Sequence, residues 1–242
     1  MATFTQAAPH VYVLRYPVLD VNSVLIVGSE RALLVDTLST DAQALELAAA
    51  VRTVTTLPID ILNTHGHFDH VLGNRVAARM LRAERIWAHP TVIETWTART
   101  EAALTDAVAV CASLAPEIAG NVGATVPLAP TEALTERVTI ELGGVSVTAW
   151  HPGPAHTDGD LVLSTGEVFL AGDLVEEGAD PDTSGSDVAN WVNILDGLLP
   201  SMPDVIVPGH GACVDPGFVA RQRDDLRQLL LGPAKHVVHS GL

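Results

Sequence analysis

The segment His65-Gly66-His67-Phe68-Asp69-His70 constrains this chain more than any other. Three imidazoles and a carboxylate stand within six residues, too many polar groups to crowd together unless something satisfies them. Residues 60–63 just before it read as a short strand, and an apolar helical pattern follows over 71–81. A strand–loop–helix connection of this kind lets all four side chains converge on a small volume. Neutral imidazole nitrogen and carboxylate oxygen are the donors that zinc accepts where no thiolate is supplied.

The second half of the chain offers further donors, each in a loop after a strand. His156 stands in His151-Pro152-Gly153-Pro154-Ala155-His156-Thr157-Asp158-Gly159-Asp160, Asp173 in Leu170-Ala171-Gly172-Asp173, and His210 in Val207-Pro208-Gly209-His210-Gly211. A nearby glycine in each loop allows a tight turn and close approach to an ion. Taken singly, each is an ordinary turn residue; with the first motif they make a coherent ligand set.

The rest of the sequence is organised around these loops. Residues 11–15, 22–27 and 32–36 read as strands, 40–54 as a helix capped by Ser39 or Thr40, and 85–88 as a strand. Residues 90–130 are mostly helical in composition. Strands at 138–142 and 145–150 flank Gly143-Gly144, a hairpin signal, and strands at 161–164 and 168–171 flank a second turn. A helix over 187–199, a strand over 205–207 and a helix over 218–231 complete the chain. Strands then helices, twice over, predict an α+β fold: an αββα sandwich of two packed sheets with helices outside, built as a single domain over 1–242.

Composition narrows the partners. Apolar residues make up 48% and charged residues 17%, ample material for a core. The formal net charge of −16 opposes binding to phosphate backbones or anionic lipid, so neither nucleic acid nor membrane is expected. No apolar run is long enough to span a bilayer, and the first residues lack a basic and apolar export signal, which predicts a cytoplasmic protein. Cys111 and Cys213 are too few for a disulfide framework; Cys213, three residues after His210, could lie near the metals, although a non-ligand role fits it better.

The histidine motif and the three later loops resemble the metallo-β-lactamase superfamily over residues 11–214. The resemblance implies a binuclear site: His65, His67 and His156 on one zinc, Asp69, His70 and His210 on the other, and Asp173 between them. It implies hydrolysis of a small-molecule substrate with an activated acyl group (thioester, ester, lactone or lactam) by a hydroxide shared by two Zn2+, with Asp69 as the catalytic group that orients it. The same donors also suit iron or manganese. Asp36 matches a family position beneath the site, where bonding to a ligand or to backbone is expected.

Asp173 stands where some antibiotic-hydrolysing members carry cysteine, so the site resembles the glyoxalase II, lactonase and broader hydrolase branches. The short length argues against the glyoxalase II option, whose members carry an added helical domain, and phrases such as Gly153-Pro154-Ala155-His156-Thr157-Asp158 resemble actinobacterial thioesterase-cyclases of polyketide assembly. A single-iron, persulfide-dioxygenase-like oxidoreductase is the alternative. Residues 90–126, with Trp96, Phe68 and Trp191, are candidate walls of a substrate pocket; Thr157 and Asp158 are expected to shape their loop.

Overall fold

The computed structural model describes residues 2–231. Its first sheet contains β1 (Thr5–Ala8), β2 (Val11–Arg15), β3 (Asn22–Val27), β4 (Ala32–Val35), β5 (Ile59–Leu62), β6 (Ile86–Ala88) and β7 (Glu132–Ala133), paired in that order. The β1 to β4 pairings are antiparallel and those from β4 to β7 parallel. Parallel neighbours need crossovers, and helices supply them. α1 (Asp41–Val54) joins β4 to β5; α2 (Phe68–Val71) and α3 (Asn74–Leu81) join β5 to β6; α4 (Pro90–Ala98), α5 (Thr100–Leu114) and α6 (Pro116–Ala124) precede β7.

The second sheet runs β12-β11-β10-β9-β8, from β8 (Val138–Glu141), β9 (Ser146–Trp150), β10 (Val162–Ser164), β11 (Val168–Glu176) and β12 (Val205–His210). Only its β11–β12 pairing is parallel, with α7 (Val188–Leu198) in the connection, and α8 (Pro216–Leu231) follows β12.

Strand alternation assigns side chains to layers. On β3, Val24 and Ile26 face the core between the sheets, where Val147, Leu163, Leu170 and Val207 of the second sheet meet them. Leu25 points the other way, toward Leu47 and Val51 of α1. On the far side of the second sheet, Phe169 and Val175 pack with Trp191 and Leu195 of α7 and Leu226 of α8. The layers are therefore the αββα sandwich that the sequence predicts. Thr40 caps α1, its Oγ1 accepting the Gln43 N–H at 3.3 Å while Gln43 Oε1 accepts the Ser39 N–H at 3.0 Å.

The helix expected over 71–81 is interrupted. Gly73 packs so closely on the chain after β4 that a Cβ there would lie 1.8 Å from the Thr37 carbonyl oxygen. Its N–H donates to Leu38 O at 2.9 Å, and the Thr37 N–H donates to His70 O at 2.9 Å. These long-range bonds separate α2, which carries Asp69 and His70, from α3. β1 and β7 were not expected, and β11 and β12 extend beyond 168–171 and 205–207 to carry Asp173 and His210 themselves.

Candidate metal centre

All seven predicted donors meet at one end of the sandwich. His65 and His67 lie in the loop after β5, Asp69 and His70 on α2, and His156 in the loop after β9. The parallel pairing of β11 with β12, in which Gly172 lies opposite Pro208, brings Asp173 beside His210. The donor atoms form two groups, each with its atoms within 4.8 Å of one another: His65, His67, His156 and Asp173, then Asp69, His70 and His210. Asp173 joins them. Its Oδ2 lies 3.4 Å from the Nε2 atoms of His65, His156 and His210, and its Oδ1 3.3 Å from His70 Nε2. Gly209 makes room for this carboxylate, since a Cβ there would stand 1.7 Å from Asp173 Oδ1.

Hydrogen bonds behind the rings decide which nitrogen each presents. His70 Nδ1 lies 2.8 Å from Asp36 Oδ2, His210 Nδ1 2.7 Å from Leu19 O, and His156 Nδ1 3.1 Å from Asp182 O. Each acceptor takes an Nδ1–H and leaves the Nε2 lone pair for the centre. His65 is fixed through a relay: its Nδ1 lies 3.1 Å from Thr64 Oγ1, whose hydroxyl donates to Asp36 Oδ2 at 2.7 Å. His67 instead turns Nδ1 inward, 3.0 Å from His156 Nε2.

Asp36 thus braces a ring in each group, and it also accepts the Thr64 N–H at 2.8 Å. Its backbone has φ +62°, the left-handed region where Asp is among the few tolerated non-glycine residues. Sequence reading places Asp36 beneath the site but misses Asn63 and Asn74. Their amides bond reciprocally at 2.8 and 3.1 Å, and Asn63 also donates to His70 O at 2.9 Å. A buried Asn immediately before the histidine loop was the available signal.

The chemistry of the cluster fits metal ions. His65 Nε2 and Asp173 Oδ1 are buried without a hydrogen-bond partner, although such atoms in an ordinary interior find one. Burial pushes the His65 imidazole well below its usual range and His156 down to about 4. For His70 and His210 burial acts in the same direction but is outweighed by the carboxylates, Asp173 foremost; His70 is held well above the usual range and His210 at about 10.

The cluster floors a cavity of about 1030 Å3. Phe68 and Trp96 line it, and the Trp96 indole N–H donates to Gly66 O at 3.0 Å. Trp191 does not line it; the ring is fully buried, donates to Leu174 O at 3.1 Å and supports His156 from 5.5 Å. Thr157 shapes its loop as expected, but its partner is Asp160, whose carboxylate accepts the Thr157 N–H at 2.9 Å and hydroxyl at 2.6 Å. Cys213 is exposed and belongs to neither donor group, and Cys111 is buried on the core face of α5. The loop over 177–184 forms a further wall, tied down where the Asp182 N–H donates to Glu176 Oε1 at 3.1 Å. Burial, with Asp173 nearby, pushes the Glu176 carboxyl up to about 8.

The sequence matches the family model for the metallo-beta-lactamase superfamily over residues 16–210, a span holding all seven donors. The chain belongs to this superfamily. Among solved structures, a metallo-beta-lactamase from Pontibacter korlensis matches with TM-score 0.70 and 19% identity, covering 94% of this chain and 99% of that one. FIM-1 from Pseudomonas aeruginosa, in its mono-zinc form, matches with TM-score 0.70 and 17% identity over 94% and 96%. A metallo beta lactamase from Erythrobacter litoralis, with beta mercaptoethanol in its active site, gives 0.66 and 20% over 93% and 96%. At these identities the shared property is the fold. Comparison with curated proteins gives no match. The superfamily member described here therefore combines a metallo-beta-lactamase fold with His/Asp groups suited to metal, consistent with a metal-dependent hydrolase. No described helix is long and apolar enough to cross a membrane.

Proposed function

We propose that this chain is a zinc-dependent hydrolase of an activated acyl group, a thioester, ester, lactone or lactam. The observation that carries this reading is the pair of donor groups joined by Asp173, with lone pairs aimed into one cavity and two buried donor atoms unsatisfied. His65, His67 and His156 would hold one ion, Asp69, His70 and His210 the other, and Asp173 both. Such ions, when bound, supply Lewis acidity and an acidified water.

The remaining work falls to the chain. Phe68 and Trp96 exclude solvent from one side of the cavity. The Asp69 carboxylate, 3.5 Å from His210 Nε2, faces the cavity, where it orients the attacking water and receives its proton. Asp36 and the carbonyls of Leu19 and Asp182 keep His70, His210 and His156 in the ligating tautomer.

Zinc titration of the metal-stripped protein at pH 7 tests this reading. Burial favours the neutral, metal-ready form of His65 and His156, whereas Asp173 and its neighbours favour the protonated form of the His70 and His210 pair. Filling the Asp69 group should then release protons, and its affinity should fall as pH drops. Calorimetry in buffers of different ionisation enthalpy counts those protons, and thioester hydrolysis should return as zinc is added. Failure to bind zinc, or full occupancy with no acyl turnover on a broad panel, would overturn the proposal.

A further inference from the structure

The cavity over the cluster has two unlike walls. On α5, Ala103, Ala107, Val110 and Leu114 recur at i, i+4, i+7 and i+11, one helical face, and all four line the cavity. A neighbouring face of α5, with Leu104, Val108 and Cys111, already packs into the core. The outer half of the cavity-facing stripe is thus apolar beyond what folding uses: Val110 is 46% and Leu114 66% exposed. From Ala103 to Leu114 the stripe runs about 16 Å at the rise of a helix. Phe68 and Trp96 continue it to the histidines.

The other wall is acidic. Glu177, Asp180 and Asp182 line it, and Asp106 of α5 lines the cavity beside the apolar stripe. Among the described residues, no lysine or arginine lines the cavity. Arg15, whose ion-pair partners Asp20 and Glu177 are lining residues, is itself held by Asp20, Nη2 to Oδ2 at 2.6 Å. Ions held at the floor would be only partly offset by Asp69 and Asp173, and their charge would act at the reacting carbonyl. Nothing at the walls would meet a negative charge elsewhere on a substrate.

Resting on the hydrolase reading above, we infer that the substrate is an acyl compound whose apolar acyl chain lies along α5 and whose leaving part carries no negative charge. An apolar chain covers Val110 and Leu114, and a neutral or cationic leaving part faces Glu177, Asp180 and Asp182. Lactams with a ring carboxylate and thioesters on phosphorylated carriers fall outside this class, since anionic groups away from the reacting carbonyl would be desolvated beside carboxylates with no cationic side chain lining the cavity.

The test uses zinc-loaded protein and acetyl to octanoyl thioesters of three thiols: neutral N-acetylcysteamine, cationic thiocholine and anionic 3-mercaptopropionate. Binding of the corresponding ketones, with –CO–CH2– replacing –CO–S–, is measured by calorimetry alongside. Affinity and kcat/KM should rise about threefold per methylene. The anionic series should lie at least about tenfold below the neutral one, with the gap narrowing as salt is raised. L114D should flatten the dependence on chain length, and D180K should close the gap between anionic and neutral series. Equal values for the three leaving parts, or no rise with chain length, would overturn the inference. The ketones keep this test separate from the hydrolase reading. Ordered binding without turnover of any thioester supports the cavity assignment and sinks the hydrolase; turnover without ordering does the reverse.

Discussion

H65A and H67A should each lower acyl hydrolysis by a factor of ~10^3 or more while leaving the fold in place, because a metal's contribution to an acyl transition state is several kcal/mol. Both residues stand in the loop after β5, outside the four apolar clusters, so the αββα packing does not depend on their side chains. His65 nevertheless contributes an Nε2 with no hydrogen-bond partner, and His67 an Nδ1 turned inward against His156. Removing either ring leaves its group one nitrogen short. Circular dichroism should report an unchanged fold, and metal analysis should report a loss confined to the His65 group. Turnover at the native rate in either variant would end the metal-hydrolase account.

The second large effect is expected at a residue outside the donor groups. D36N should cost ~10–100-fold in zinc affinity or in kcat/KM, the range typical of partners that orient metal-bound histidines. Asparagine tolerates the left-handed backbone at this position, so the chain path is preserved. Its amide can still accept the Thr64 N–H, but its NH2 then faces His70 Nδ1 and Thr64 Oγ1, where a carboxylate oxygen accepts in the native protein. His70 would have to offer a lone pair on Nδ1 and carry its proton on Nε2, the wrong tautomer for a ligand. Imidazole NMR would detect the exchange of tautomer, which a merely structural weakening would not produce. Native zinc affinity together with an unchanged His70 spectrum would show that Asp36 does not set the tautomer.

What was legible in the sequence follows from the range of the interactions involved. The motif from His65 to His70 is local, and a strand before it with a helix after it forces its side chains together, so four of the seven donors could be read from one window. His156, Asp173 and His210 could be read only as members of a recurring set, because β11 and β12 become neighbours through α7 and not through sequence proximity. The layers were legible through alternation on strands such as β3, whose successive residues face different clusters.

The misses have non-local causes. Nothing around Gly73 announces that Thr37 and Leu38 will bond into this segment and split the helix. β1 has exposed and half-buried residues and a polar start, so it lacks a buried-strand pattern. Gly172 and Asp173 read as loop chemistry, yet β11 is buried along its whole length and carries Asp173 into the site. The acidic run from Glu176 to Asp182 is visible in the sequence, but its role as a wall depends on α5 across the cavity.

The most direct test of the central claim is elemental analysis of the purified protein, made on the same sample as acyl-hydrolysis assays. The account predicts about two zinc ions per chain, the content of a two-metal hydrolytic site, with turnover of an apolar acyl thioester or ester. Close to one iron per chain, with oxygen consumed and no acyl hydrolysis, would contradict it and make the chain an oxidoreductase on the same fold.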